Sequence, residues 1–183
     1  HTLHYLDPMT LALANSHVTR VYITREKISD EIKPLFETRH IKSLTLQTSS
    51  VNYLCKNSDV FSNDVLQALS ENTTLVKFKT NIFNKGLLSA IVQGKKSRIE
   101  SLVIVDKEEF FDFEDYIEMK SDFDSLEDGF TCCRIKKLSN IMTCTPVNKV
   151  AQTFPNVQEL GIVWQDAIID TILDAYNSGK FKL

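Results

Sequence analysis

The chain is poor in the residues that break regular structure, with 5 glycines and 4 prolines in 183 residues. Collagen-like, mucin-like and flexible-linker chains need far more of both, so those classes are excluded. No apolar run approaches the ~18 residues of a membrane span, and His1-Thr2-Leu3-His4 does not open a secretory leader. No membrane partner is expected. The first residue is not Met, so the chain reads as a piece of something longer. Histidine is missing beyond His40, and the 4 cysteines (Cys55, Cys132, Cys133 and Cys144) fall into no C-x-x-C spacing. Zinc and dithiol chemistry use that spacing, so no metal site is expected. Free thiols in a reducing compartment, cytoplasmic or nuclear, are the economical reading.

Nucleotide motifs are missing as well. No G-x-G-x-x-G turn occurs, and the glycine before Gly94-Lys95-Lys96-Ser97 is Gly86, too far back for a phosphate loop. Asp122, Asp124, Glu127 and Asp128 offer hard oxygens. They lack the central glycine and closing glutamate of a calcium loop. No cofactor is expected, and no nucleophile–base pairing is visible, so the chain is not expected to be an enzyme. Asn72-Thr73-Thr74 forms a glycosylation sequon, read as fortuitous.

What is present is ordinary in amount and unusual in arrangement. A content of 43% hydrophobic and 25% charged residues suits one soluble domain. An apolar residue followed by others three and five positions on recurs as Val18-Val21-Ile23, Ile41-Leu44-Leu46 and Leu75-Phe78-Thr80. It continues as Ile99-Leu102-Ile104, Ile135-Leu138-Asn140 and Val157-Leu160-Ile162, with Thr80 and Asn140 breaking the third position. First positions lie 23, 34, 24, 36 and 22 residues apart.

After most copies the pattern changes from alternating to helical. Helices are expected around Asp30–Phe36 (short or kinked at Pro34), from Asn63-Asp64, after Asn84, from Thr145-Pro146, and after Asp166. Another short helix, Pro8–Ala14, leads into the first copy. Neither a lone strand nor a lone helix of this kind buries its apolar face, so the units must stack.

PNVQELGI at 155–162 and RIESLVIV at 98–105 carry a resemblance to the leucine-rich repeat family, which extends over residues 17–183. The likeness is to the divergent repeats of F-box-associated receptors and ribonuclease-inhibitor-like horseshoes. It implies an α/β solenoid with a parallel, strand-lined concave face and outer helices of irregular repeat length. The alternative is a compact doubly wound α/β domain. The family's usual Asn or Cys, eight residues after the first apolar position, is replaced here by Glu26, Ser49, Phe83, Lys107, Thr143 and Gln165.

The resemblance implies a non-enzymatic protein–protein interaction module, a scaffold or adaptor. A narrower version is the substrate-recognition part of an F-box-type or cullin-type ubiquitin ligase. The domain boundaries are 1–183 for a single repeat domain, with 106–130 as an acidic–aromatic insertion within one repeat. His17 and His40 share a place just before the first apolar residue, which suits a turn or edge role better than a catalytic dyad.

Net charge is −3, yet residues 106–130 alone carry −9, leaving +6 elsewhere. Side chains alternate along a strand, so positions between the apolar ones share the opposite face. There stand Arg20, Lys42, Lys77, Lys79, Lys136 and Lys137, opposed by Glu100 and Glu159, with Tyr22 among them. Those cations and Tyr22 are partner-binding candidates for an acidic protein surface. Phe110, Phe111 and Asp112 in the insertion are candidates for a basic one. Nucleic acid binding through the same lysines, within an RNA-processing complex, is the alternative from a different class.

Overall fold

The computed structural model describes residues 7–49, 60–82, 86–104, 126, 129–141, 147–162 and 177–179. Its frame is a six-stranded, all-parallel sheet in a mixed α/β arrangement, with strands in the order β1-β2-β3-β4-β5-β6. They are β1 (Arg20–Arg25), β2 (Ser43–Thr48), β3 (Lys77–Thr80), β4 (Ser101–Ile104), β5 (Lys137–Ile141) and β6 (Glu159–Ile162). Every strand pairs with its neighbour in the chain, and the order never reverses. A doubly wound sheet reverses at a switch point, and the described strands show none.

Right-handed crossovers that always step the same way carry every connection over the same face of a sheet. The helices follow that logic. They are α1 (Pro8–Ala14), a 3-10 turn at Asp30–Ile32 running into α2 (Lys33–Glu37), α3 (Asn63–Glu71), α4 (Leu87–Gln93) and α5 (Val147–Thr153). α2 packs on α3 and α3 on α4, while α1 packs against β1 and α2. Asp7 caps α1, its carboxylate accepting from Thr10 N at 3.4 Å, and Pro8 follows where a missing N–H costs nothing. The Ser62 hydroxyl caps α3 one residue before the expected start. The cap of α4 is Gly86, at φ 82, a left-handed conformation that glycine adopts without a Cβ clash. Pro34 confines α2 to the short helix expected of it. No helix among the described residues is long and apolar enough to cross a membrane.

The sequence repeat and the strand register coincide. Val21, Leu44, Phe78, Leu102, Leu138 and Leu160 are successive partners across the sheet. Ile23, Leu46, Thr80 and Ile104 form the next row. The first apolar positions Ile41, Leu75, Ile99, Ile135 and Val157 are all buried just before their strands. Thr80 keeps its place in the core row, fully buried, because its hydroxyl accepts from Ile82 N at 3.0 Å. A register shift between Ser139 and Ile141 corrects the Asn140 break, so that Ile141 pairs with Ile162. On the helix side, Phe78 meets Phe36 edge to face, ring centroids 5.9 Å apart.

One junction recurs at every strand entrance. The carbonyl after the first apolar position accepts from two successive amides of the next strand. Thr19 O takes Lys42 N (2.8 Å) and Ser43 N (3.1 Å), and Lys42 O takes Val76 N and Lys77 N (2.9 and 3.0 Å). Val76, Glu100 and Lys136 repeat the arrangement along the sheet.

Candidate interaction surface

Alternation makes the sheet two-faced. β1 reads exposed–buried–exposed–buried, and β3 does the same. The buried face meets the helices. The other presents two registered rows: Arg20, Ser43, Lys77, Ser101, Lys137 and Glu159, then Tyr22, Thr45, Lys79, Val103, Ser139 and Gly161. Lys42, Glu100 and Lys136 sit at the strand entrances, beside the first row. Arg20, Tyr22, Lys42, Lys77 and Lys79 are exposed, Tyr22 at 60%, and Lys136 is exposed as well. Lys137 is half-buried. All seven sheet candidates thus belong to this face or its entrance edge. Phe110, Phe111 and Asp112 lie outside the described residues, as do Cys55, Cys144, Trp164, Asn84 and the carboxylates Asp122 and Asp124.

The charges are unevenly distributed. Lys136 Nζ stands 2.8 Å from Glu100 Oε2, linking β5 to β4. Lys137 pairs with Glu159, linking β5 to β6. Both face carboxylates are therefore used on the β4–β6 side. Arg20, Lys42, Lys77 and Lys79 have no ion-pair partner among the described residues. The β1–β3 half is a cationic patch, and the β4–β6 half is self-compensated. Within the patch, the Tyr22 hydroxyl donates to Gln47 Oε1 at 2.6 Å, which holds the ring over β1 and β2.

Side chains that sequence reasoning missed frame this surface. Thr48 and Asn81 close the strand ladder at the ends of β2 and β3. Asn81 Oδ1 accepts from Thr48 N at 2.8 Å, and Asn81 Nδ2 donates to Thr48 O at 2.9 Å. The amide thus completes the ladder where β3 has ended. Thr48 Oγ1 donates to Glu26 O at 2.7 Å. Both residues are buried. The available signal was a small polar residue one or two places after the third pattern position, Leu46 or Thr80.

His40 has the edge role expected of it, its Nε2 donating to Ala12 O at 2.9 Å and tying β2's entrance to α1. Asn72 of the sequon is 6% exposed, its amide held by Phe36 O at 2.6 Å. A glycosyl acceptor must be accessible, which this amide is not.

Elsewhere, a groove of about 620 Å³ opens on the helix side, lined by α2, α3 and Lys96. Two ion pairs lie along it, Lys33 3.3 Å from Glu37 and Lys96 3.8 Å from Glu71. Of the phosphate-loop-like stretch, Lys96 is exposed and Gly94 sits against the backbone of Ser70 and Ala90. Among the described residues no group of three or more His, Cys, Asp or Glu is placed to hold a metal ion. Cys132 is a buried free thiol and Cys133 an exposed one.

No family model matches this chain, and neither a curated protein nor a solved structure matches it.

Proposed function

We propose that this chain is a leucine-rich-repeat-like solenoid acting as a non-enzymatic protein-interaction module, with the open face of the parallel sheet as its contact surface. The observation that carries this reading is the open face itself. Parallel sheets ordinarily have both faces covered. Here the second face presents Arg20, Tyr22, Lys42, Lys77 and Lys79 exposed, in rows set by the strand register. Rigid strands aligned in this way hold side chains at fixed spacings, which suits recognition of an extended surface. The recurring double-acceptor junction and the chain-order sheet support the solenoid reading. The adjacent unbridged thiols of Cys132 and Cys133 support an intracellular setting, cytoplasmic or nuclear.

Site-specific photo-crosslinking tests the proposal. A photoreactive residue at Thr45 or Ser101, on the open face, is expected to trap a discrete protein in cell extract. The same group at Gln67 on α3 is expected to trap none, and Val103→Trp, a neutral obstruction in the row of Thr45 and Lys79, is expected to abolish capture from Thr45. Equal capture from Gln67, or capture indifferent to Val103→Trp, would refute the open face as the interface.

A further inference from the structure

We propose that the β1–β3 half of the open face binds a short, extended, acidic peptide segment whose carboxylates recur on alternate residues. The inference rests on the interaction-module reading and adds the chemistry of the partner. Charge complementarity carries it. Arg20 on β1, Lys77 and Lys79 on β3, and Lys42 at the entrance of β2 lie together, and none has an ion-pair partner among the described residues. Lys136 and Lys137, on the same sheet, each have a carboxylate.

Spacing then selects the ligand. Lys77 and Lys79 are two residues apart on one strand, about 7 Å. Arg20 and Lys77 occupy the same row on β1 and β3, about 10 Å apart across two strand spacings. Alternate residues of an extended peptide repeat at about 7 Å, so a peptide lying along β3 can set successive carboxylates against Lys77 and Lys79. Between the cations, Ser43 and Thr45 are half-buried hydroxyls able to bond a peptide backbone, and exposed Tyr22 offers an apolar ring.

A nucleic acid strand fits less well. Single-strand binders use a long cationic track with several stacking aromatics. Here the cationic track ends at β3, and the carboxylates of Glu100 and Glu159 stand at the entrance of β4 and on β6. Tyr22 is the one large exposed aromatic among the described residues. Its hydroxyl is already tied to Gln47. The anionic stretch is therefore short, matched to three strands.

Fluorescence polarisation on the full chain tests this with four labelled probes: (Glu-Ser)6, (Gln-Ser)6, (Lys-Ser)6 and a twelve-nucleotide oligouridylate. The (Glu-Ser)6 peptide is expected to bind saturably, the neutral and basic peptides at least tenfold more weakly. Lys77→Glu with Lys79→Glu is expected to weaken it tenfold or more. Lys95→Glu with Lys96→Glu, an equal charge change on the turn after α4, is expected to change it less than twofold. Circular dichroism confirms that both double variants stay folded. Glu100→Lys extends the patch onto β4 and is expected to tighten binding, and added salt to weaken it.

Equal binding of (Gln-Ser)6, or indifference to the Lys77 and Lys79 reversals, would overturn the proposal. Tighter binding of oligouridylate through those lysines would overturn it in favour of nucleic acid. If no peptide binds while crosslinking from Thr45 persists, the acidic ligand falls and the interface stands. Peptide binding without any crosslinked protein leaves the ligand chemistry standing and removes the interface reading.

Discussion

Asn72 joins three elements through one side-chain amide. It ends α3 as the C-cap residue, its Nδ2 donates to Phe36 O at the end of α2, and its Oδ1 accepts from Thr74 N and Leu75 N before β3. Replacing it by alanine leaves a buried carbonyl and a buried amide without partners, each costing about 1–3 kcal/mol. Asn72→Ala is therefore expected to lower unfolding stability by about 2–4 kcal/mol. The midpoint of a urea titration should fall while its slope stays unchanged. At the N-terminal edge, Arg25 holds Asp7 at 2.9 Å and also pairs with Glu31. The Arg25 hydrogen bond keeps the Asp7 carboxyl below the usual carboxylate range, desolvation opposes it, and the guanidinium charge adds to it. An Asp carboxyl in the unfolded chain titrates near ~3.9. With the folded value lower, the stabilisation is complete above the unfolded value and is lost as pH falls through the folded one. The stability gap between the wild type and Asp7→Asn is thus expected to be full at neutral pH and to close below about pH 4. Melts across an acid pH series would show the gap persisting if the Arg25 contact were irrelevant. The gap is small, because Asp7 is 39% exposed and water screens the pair.

Among the elements, the turn after α4 has the least room. A Cβ on Gly94 would lie 2.5 Å from Ala90 O and 2.7 Å from Ser70 O, both backbone atoms. Gly94 has φ −59, so this is a matter of space: the end of α4 sits against the end of α3. Gly94→Ala is expected to force those helices apart at a cost of about 2–3 kcal/mol, the range of overpacked cores. Thermal melting should show a drop of several degrees, and an unchanged midpoint would mean the helices yield freely. Arg134 braces the same helix from the other side. Its guanidinium donates to Ile91 O and Val92 O, near the α4 end where carbonyls lack intrahelical partners. The helices themselves were legible in outline. Apolar spacing placed α1, α2 and α3, and Pro34 explained why α2 is short. Their caps were less legible, because Ser62 and Gly86 compete in sequence with equally good candidates nearby, Asn63 and Asn84.

At the scale of the whole molecule, each described strand pairs only with its neighbours in chain order. Residues from strands far apart should then contribute independently. Ile23 on β1 and Ile135 before β5 are both buried, and four strand spacings of about 4.8 Å separate their strands. Ile23→Ala and Ile135→Ala are each expected to cost about 2–5 kcal/mol. Their double variant should equal the sum within about 0.5 kcal/mol. Leu44→Ala and Phe78→Ala are direct cross-strand partners and should depart from additivity. Denaturant unfolding of both cycles would refute the linear picture if the distant pair were the one that coupled.

The sequence alone determined which residues face inward and which strand positions meet, because both follow from a local period that recurs in every unit. Leu44 opposite Phe78 opposite Leu102 is the repeat restated in space. Its two breaks were legible as breaks, but their repair was not. Thr80 is rescued by a hydroxyl contact and Asn140 by a register shift, both of which depend on neighbouring chain positions. The division of charge was decided only in three dimensions. Lys136 and Glu100 are 36 residues apart, and Lys137 and Glu159 are 22 apart. Composition counts these four with Arg20, Lys42, Lys77 and Lys79 as one mildly basic face. Electrostatic interaction depends on distance: the carboxylates of Glu100 and Glu159 each reach a lysine at β5, and no carboxylate among the described residues lies within ion-pair distance of Lys77 or Lys79. Tertiary structure thereby turns an even scatter of lysines into a cationic half and a neutral one.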